Sequence, residues 1–461
     1  MVVAAPPARA RPATGGWTAA AVGVGLWTGL VLVALRWGAS VAADRPEMRV
    51  NAAPFVGAWE RLITDRAALW AAIALGVLVV AGAPVLTRRL RWRALVVGAG
   101  ALGVAWLLAL NAVDGPYALR APLTTRYEYV AGVADVDAAG GARAYLSGFI
   151  EQISDYPTHV RGHPPGLVVG LWASDQVGLD PLAVNLGLVL AGWAAAIASA
   201  LVAVREVVGE AGARRMAPLL AMAPAAIWAG TSADALFAGV TAAAIALLVL
   251  ATGQRGGRSD LTAVAGGALV GISMLLSYAT TPVLAVPVAV ALARGRLRPL
   301  FVGGAVAAAL LVVMCVAGGF WWPAGLLATR EQYQAGLAPI RPYRYFVVGN
   351  LAAVAVAVGP VLGAGVAVVI RRLIGAGADR AELLRRLAPT ALVVGAVVGV
   401  VAADLSGLSK GETERIWLVF VPWLAGAAAF LPGPADRVHR VWVAAQVALG
   451  VGLQVALRTP W

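Results

Sequence analysis

Long apolar runs separated by short polar connections dominate the pattern of this chain. Thirteen of these runs approach the length of about 20 residues that a helix needs to cross the hydrocarbon core of a membrane. The predicted spans are residues 17–37, 68–86, 93–113, 181–204, 216–231, 234–252, 261–277, 281–293, 299–319, 346–370, 388–404, 416–431 and 439–457. The pattern predicts an all-α polytopic membrane protein with about 13 transmembrane helices.

Two of the predicted spans, 216–231 and 281–293, are short. The break at Ser277–Pro282 fits either a turn between two spans or a kink in one, because proline removes a backbone donor from a helix interior. The count of spans is therefore open by about one or two helices.

Composition supports the same class of protein. Hydrophobic residues make up 61% of the 461 residues, charged residues make up 13%, and the mean hydropathy is +0.82. The single cysteine, Cys315, lies inside an apolar run, which excludes an intramolecular disulfide and a cysteine metal site. Lys410 is the one lysine among 36 basic residues, and this arginine bias, with abundant alanine, glycine and valine, is typical of a high-GC bacterial genome.

The net charge of +13 follows the predicted topology. With the N-terminus in the cytoplasm, the cytoplasmic connections carry 21 basic and six acidic residues, and the other side carries 15 basic and 17 acidic residues. Such an excess of arginine orients membrane proteins with the basic connections inside, and it leaves nucleic-acid binding without support. The chain is predicted to lie in a bacterial plasma membrane, with its N-terminus cytoplasmic and its C-terminus extracytoplasmic.

Polar segments of substantial length occur only on the predicted outer side, at residues 38–67, 114–180, 320–345 and, more briefly, 405–415. Loops held by a rigid scaffold often carry function, so an extracytoplasmic active site fed from the membrane is expected. Within the second segment, Leu167–Val177 is apolar but too short to cross, which favours an interfacial helix. The first segment, 38–67, is predicted to form an amphipathic interfacial cover.

Two stretches resemble the GT-C superfamily of integral-membrane glycosyltransferases. The first is His163–Gly166 (His-Pro-Pro-Gly), which opens the short interfacial helix and follows an acid placed after an outward-running helix. The second is Ser409–Pro422, which is similar to an Arg-(Tyr/Trp)-x-x-x-x-Pro pattern of that superfamily. The resemblance covers about residues 93–431. The family usually places its first acid after the first helix, often as Asp-Glu, whereas the matching segment here follows the third predicted span and has no Asp-Glu pair. Either two helices have been added at the N-terminus, or Asp44 and Glu47 in the first outer loop take that role.

The resemblance implies a division of the chain and a reaction. Residues 1–92 would form an N-terminal helix pair with an outer loop, 93–431 the catalytic core, and 432–461 a C-terminal helix. Members of the superfamily, among them protein O-mannosyltransferases and lipid A aminoarabinose transferases, use polyprenyl-phosphate sugars. The expected partners are therefore a polyprenyl-phosphate-linked sugar, a cell-envelope glycan, lipid or protein acceptor, and membrane lipid.

Sugar transfer from a phosphate requires a carboxylate that takes a proton from the acceptor hydroxyl. Glu128 is the first candidate for this base, since the flanking Tyr127 and Tyr129 could stack on a sugar ring. Asp114, at a helix end, and Asp155 are the alternatives.

The leaving phosphate requires cations, and arginine binds phosphate oxygens bidentately. Arg415 and Lys410, beside Glu412, are candidates at the start of a predicted span, and Arg341 and Arg344 are candidates in the third outer segment. The candidates for binding phosphate or sugar from the second outer segment are His159, Arg161 and His163.

Asp155, His159 and His163 are spaced four apart, which would suit metal ligands on a helix. Pro157 and the glycine and proline around His163 oppose a regular helix there, so no metal site is predicted, although a divalent metal is left open. Asp234 is expected to cap the helix that follows Ser232. No nucleotide or other cofactor is expected, because the chain has no glycine-rich phosphate loop.

The expected function is thus transfer of a sugar from a polyprenyl-phosphate donor to a cell-envelope acceptor, with inversion at the anomeric carbon. The alternative is a flippase or transporter for lipid-linked sugars, which would place ionisable residues near the middle of the spans and show an inverted repeat. A non-catalytic envelope scaffold is a further alternative. The sequence favours the transferase because polar residues gather on one side.

Overall fold

A computed structural model describes residues 14–60, 63–375 and 379–460, and these residues are largely helical. The α-helices are α1 Thr14–Asp44, α2 Arg66–Arg89, α3 Trp92–Asn111, α4 Val133–Ala138, α5 Ala142–Gly148, α6 Thr158–Arg161, α7 Gly166–Gln176, α8 Pro181–Val207, α9 Glu210–Ala221, α10 Ala226–Ala229, α11 Asp234–Gly253, α12 Gly256–Leu276, α13 Thr280–Val283, α14 Ala285–Arg294, α15 Arg298–Gly318, α16 Trp322–Ala335, α17 Tyr343–Val358, α18 Val361–Ile374, α19 Arg380–Leu405, α20 Thr413–Ile416, α21 Val421–Leu424 and α22 Ala435–Ala456. Short 3-10 helices lie at Pro46–Met48, Ala112–Asp114, Pro122–Thr124, Trp417–Phe420 and Ala425–Phe430. Strands β1 Ala58–Trp59 and β2 Leu457–Arg458 pair antiparallel, with Ala58 opposite Arg458.

The protein is an all-α polytopic membrane protein, as the hydrophobic pattern predicts. Among the described residues, nine helices are long and apolar enough to cross a membrane, or ten if one bent pair counts as a single span. These nine are α1, α2, α3, α8, α11, α12, α15, α19 and α22. Each of them coincides with one of the thirteen predicted spans.

The other four predicted spans are not regular long helices, which corrects the expected number of 13. Segment 216–231 is divided between α9 and α10, 281–293 becomes the short pair α13 and α14, and 416–431 is a chain of single turns. Segment 346–370 forms α17 and α18, which meet at an angle of 103°. Each contains a proline that removes a ladder hydrogen bond, and these prolines include Pro224, Pro282, Pro360 and Pro422.

The connections predicted to share a side of the membrane contact one another. At one end of the bundle, here called the arginine end, Arg214 donates to the carbonyl of Leu90 at 3.0 Å, and Arg294 pairs with Glu206 at 3.1 Å. Arg371 donates to the carbonyl of Gly15 at the same end. The opposite end, here called the loop end, holds the β1–β2 pair. The first and last described residues therefore lie at opposite ends of the bundle.

Residues 45–59, here called the N-terminal plug, differ from the predicted interfacial cover. Met48, Val50 and Phe55 are each no more than 1% exposed, and Phe55 stacks on Trp228 with ring centroids 5.8 Å apart. The segment is thus inserted into the loop end instead of lying on its surface. The mostly apolar stretch Val50–Val56 accounts for this burial, because removing apolar surface from water is favourable.

The short helix predicted at residues 167–177 is present as α7. It spans Gly166–Gln176, too short to cross a membrane, and buries Leu167, Val168 and Leu171 on one side. The loop-end segment between α3 and α8 is otherwise built from the short helices α4, α5 and α6. This segment holds eight of the predicted site residues and brings four of them, Glu128, Tyr129, His159 and His163, close together.

Candidate functional site

A cluster of charged side chains is buried at the loop end. Glu128 is 1% exposed, Asp234 and Arg415 are each 3% exposed, and Arg341 is 4% exposed. Charged groups are rarely buried unless they are paired. The four residues come from the segment after α3, the start of α11, the turn before α17 and the one-turn helix α20, so distant parts of the chain converge here.

Arg415 lies at the centre of this buried cluster. Its Nη1 donates to Asp234 Oδ2 at 2.7 Å, and its Nη2 donates to Glu412 Oε2 at 2.9 Å. Burial by itself acts to lower the pKa of Arg415, but the field of Asp234, Glu412 and Glu128 outweighs burial and raises it. The guanidinium therefore stays charged and is held from two sides.

The backbone conformation at Glu412 directs its carboxylate towards Arg415. Glu412 has φ 63°, in the left-handed region, which a residue with a Cβ adopts only when its surroundings enforce it. Asn350 supplies that enforcement, since its Nδ2 donates to the carbonyl of Ser409 at 2.8 Å and its Oδ1 accepts from the N–H of Gly411 at 3.1 Å.

His159 joins Arg415 to Glu128. Arg415 Nη2 lies 3.1 Å from His159 Nε2, and His159 Nδ1 lies 2.6 Å from Glu128 Oε1. A guanidinium only donates, so His159 Nε2 accepts from Arg415, while His159 Nδ1 makes a close polar contact with Glu128. Glu128 Oε2 is buried and has no hydrogen-bond partner among the described residues.

Three aromatic rings pack together beside these contacts, those of Tyr129, His163 and Phe237. The Tyr129 ring lies 5.6 Å from that of His163 and 6.0 Å from that of Phe237. His163 Nδ1 donates to the carbonyl of His159 at 2.9 Å. Burial lowers the pKa of His163 to about 4, so its ring is neutral near pH 7 and adds no charge to the site.

Arg341 and Lys410 border the cluster on the other side. Arg341 Nη1 donates to the carbonyl of Lys410 at 2.7 Å and lies 3.4 Å from Glu412 Oε1. Burial acts to raise the pKa of Glu412, but Arg415 and Arg341 outweigh burial and lower it. Lys410 Nζ donates to the carbonyl of Ala338 at 2.7 Å, and burial lowers the pKa of Lys410.

Glu414 is a second buried carboxylate next to the cluster. It is 0% exposed, its Oε1 accepts from the N–H of Val56 at 3.4 Å, and its Oε2 has no hydrogen-bond partner among the described residues. Burial, with a smaller contribution from Glu412, raises the pKa of Glu414 to about 7. Val56 belongs to the N-terminal plug, so this contact ties the plug to α20.

The structure brings eight of the predicted site residues together: Glu128, Tyr129, His159, His163, Arg341, Lys410, Glu412 and Arg415. The remaining five lie outside the cluster. Asp114 accepts from Gln454 Nε2 at 2.8 Å, exposed Asp155 accepts from Ser154, Tyr127 is 47% exposed beside Arg126, Arg161 donates to the carbonyl of Ser154, and Arg344 is exposed.

Sequence reasoning missed Asp234. It is the first residue of α11 and caps nothing with its side chain, because that side chain pairs with Arg415 instead. The available signal was its place as an acid at the end of a long uncharged apolar run, where ionisable residues are functional candidates by default.

The spacing of Asp155, His159 and His163 does not produce a convergent set of ligands. Asp155 accepts from Ser154, whereas His159 faces Glu128 and Arg415. Within residues 14–60, 63–375 and 379–460, no group of three or more His, Cys, Asp or Glu side chains is arranged to hold a metal ion.

A scan against models of protein families and a search of curated proteins gave no match to this chain. The function must therefore be inferred from the cluster itself.

Proposed function

We propose that this protein is a membrane glycosyltransferase that transfers a sugar from a polyprenyl-phosphate donor to a hydroxyl of a cell-envelope acceptor on the extracytoplasmic face. The observation that carries the proposal is the state of Glu128. One of its oxygens lies 2.6 Å from His159 Nδ1, and the other is buried with no hydrogen-bond partner among the described residues. A fixed carboxylate with one unsatisfied oxygen is suited to accept a proton from a substrate hydroxyl.

In the proposed reaction, Glu128 Oε2 takes the proton of the acceptor hydroxyl. The acceptor oxygen forms a bond to the anomeric carbon while the bond from that carbon to the phosphate oxygen breaks. The phosphate leaves with the electron pair, and the anomeric configuration inverts because attack and departure occur on opposite faces. No covalent enzyme intermediate is required.

The polar contacts behind Glu128 have a positioning role in this scheme. Asp234 holds Arg415, Arg415 fixes the acceptor nitrogen of His159, and His159 directs its other nitrogen to Glu128. Small misplacements of a reacting group cost large factors in rate. The chain of contacts therefore supports a base whose orientation is set before the substrate binds.

The location of the charges favours transfer over transport. The residues of the cluster belong to loops, two one-turn helices and the first position of α11, whereas a secondary transporter is expected to bind its substrate near the middle of the bilayer. A scaffold without chemistry has no use for a buried carboxylate with an unsatisfied oxygen, since such burial costs stability.

The test is a transfer assay with membranes that contain the protein and a panel of radiolabelled polyprenyl-phosphate sugars. Glu128→Gln is expected to lower the rate of label transfer to envelope acceptor by about 100-fold or more, the usual contribution of a positioned base. Glu151→Gln, at an exposed acid of the same outer segment, is the matched control and should transfer normally. If the wild-type protein consumes no donor at normal expression, the proposal fails and lipid flipping becomes the next assay.

A further inference from the structure

The buried cluster is poorly suited to receive the phosphate of the donor on its own. Arg415 already pairs with Asp234 and Glu412, and Arg341 also faces Glu412. The positive charge of a guanidinium that is paired with buried carboxylates is already balanced, so it attracts a further anion only weakly. Displacing one of those carboxylates would leave a buried charge without its partner. A cation that is free of carboxylates should therefore lie nearby.

A cavity of about 330 Å³ at the loop end has this character. It lies between α16 and the connection that follows α19, and it is lined by Leu326, Leu327, Arg330, Ser406 and Leu408. One guanidinium and one hydroxyl stand among three leucines. We name this cavity the Arg330 groove.

Arg330 is the charged group of the groove. Its side chain is exposed, and within the described part of the chain it forms no ion pair with an acid. An arginine of this kind offers its planar fork to phosphate oxygens. The leucines around it would be out of place in a site for a free, water-soluble phosphate, and they indicate a ligand that joins a phosphate to a hydrocarbon chain.

The segments that line the groove contact the segments that carry the cluster. Thr329, next to Arg330, donates to the carbonyl of Arg161 at 3.0 Å, which ties α16 to the segment that carries His159. Leu408 is two positions before Lys410, whose Nζ donates to the carbonyl of Ala338 after α16. The backbone that lines the groove thus leads directly to the residues that border Glu412.

Exposed apolar side chains occur both in the groove and on the helix that precedes it. The preceding helix, α15, carries Val312, Val313 and Val316, which are 50%, 58% and 79% exposed. In the groove itself, Leu327 is 57% exposed and Leu408 is 43% exposed. Apolar side chains left open on a spanning helix are satisfied by hydrocarbon, so a lipid could enter from the side without crossing water.

We propose that the Arg330 groove binds the phosphate and the first isoprene units of the polyprenyl-phosphate donor, with Arg330 on the phosphate and the three leucines on the chain. This inference rests on the proposed function and assigns its donor-lipid site. It places the phosphate on a guanidinium that lies outside the internally paired charges of the cluster.

Binding can be measured without any transfer reaction. The full chain in phosphatidylcholine nanodiscs would be titrated with tritiated decaprenyl phosphate, with phosphatidylglycerol as a competitor. Arg330→Gln is expected to weaken binding about tenfold or more, since hydrogen bonds to charged groups are worth at least that factor. Arg120→Gln, at an exposed arginine of the same end, is the matched control and should bind like wild type.

A second variant guards against a folding defect. Leu408→Trp keeps every charge and fills the groove, and it should weaken binding in protein that elutes as a single species with the wild-type melting temperature. The proposal is overturned if wild type does not bind decaprenyl phosphate, if either groove variant binds it like wild type, or if phosphatidylglycerol displaces it at equal concentration. The last result would make the groove a general phospholipid site.

The two proposals fail in different ways. Glu128→Gln should bind decaprenyl phosphate normally and lose transfer, whereas Arg330→Gln should lose both binding and transfer. Normal transfer by Glu128→Gln contradicts the proposed function whatever the binding data show. Normal binding by Arg330→Gln contradicts only the donor-lipid site.

Discussion

Arg415 shows how a single side chain can organise this site. It contacts Asp234, 181 positions earlier in the chain, and His159, 256 positions earlier. Its burial at 3% exposure is tolerable only because carboxylates surround it. Loss of this cation would therefore leave Asp234 and Glu412 buried without their main partner.

The first prediction concerns this dependence. Arg415→Ala should destabilise the protein by about 3–5 kcal/mol, the usual cost of breaking a buried ion pair from one side. Arg344→Ala removes an exposed arginine and should change the free energy of unfolding by less than about 0.5 kcal/mol. Denaturant unfolding in detergent, followed by tryptophan fluorescence, measures both. Equal stability of the two variants would contradict the role of Arg415 as the centre of the cluster.

Part of the site could be predicted at this scale. Glu128, His159, Glu412 and Arg415 were recognisable because polar residues are conspicuous in an apolar chain. Their pairing was not predictable, because one sequence carries no information about contacts between segments so far apart. Asp234 was assigned a capping role instead of a site role, because an acid at the start of a helix often caps that helix.

At the scale of elements, the apolar pattern predicted long helices well and broken ones poorly. Hydrophobicity alone marks a segment as able to cross, and nine segments formed the expected helices. The segment after Arg415 is equally apolar, yet it folds into α21 and two 3-10 helices around Pro422. The one-turn α20 that precedes it presents Glu414 to the N-terminal plug, which the amphipathic reading of residues 38–67 did not predict.

Glu414 gives this junction a pH dependence. Burial raises its pKa from the ordinary 4.5 to about 7, so the folded protein retains a proton that the unfolded chain releases. The charged and titratable groups around it are Glu412, Arg415 and Tyr345. By linkage, the contribution of Glu414 to stability is fully present below pH 4.5 and is lost as the pH rises to about 7.

Glu414→Gln therefore should gain in stability relative to wild type as the pH rises through this window, and the difference should be constant above it. Melting temperatures of the two proteins in detergent, taken from about pH 4.5 to pH 8, measure the effect. Glu331→Gln, at an exposed acid, serves as the control, with a difference that does not follow pH. A constant offset for Glu414→Gln would contradict a protonated Glu414 at the plug.

At the scale of the whole molecule, the positions of the arginines in the sequence indicated which connections lie at the same end of the helix bundle. Arg214 reaches the connection after α2, and Arg294 reaches the end of α8, so the basic connections form one end of the bundle. The polar segments meet at the other end. The structure places the two groups at opposite ends, and the side of the membrane that each faces remains a prediction of the positive-inside rule.

Cysteine labelling tests this orientation. In a Cys315→Ser background, Glu151→Cys should react with an impermeant maleimide in intact cells, because the loop end is predicted to lie outside. Arg89→Cys, at an exposed position of the arginine end, should react only after the membrane is permeabilised. The opposite pattern would place the cluster in the cytoplasm, where polyprenyl-phosphate sugars presented on the outer leaflet could not reach it.

The central claim is that Glu128 acts as the base that deprotonates the acceptor, and chemical rescue tests it most directly. Glu128→Ala removes the carboxylate and leaves a space beside His159 in which formate can bind and take the proton. Transfer of labelled sugar by Glu128→Ala should fall by about 100-fold or more and should recover with increasing formate, while the wild-type rate stays unchanged. If Glu128→Ala transfers sugar at the wild-type rate without formate, Glu128 is not the base.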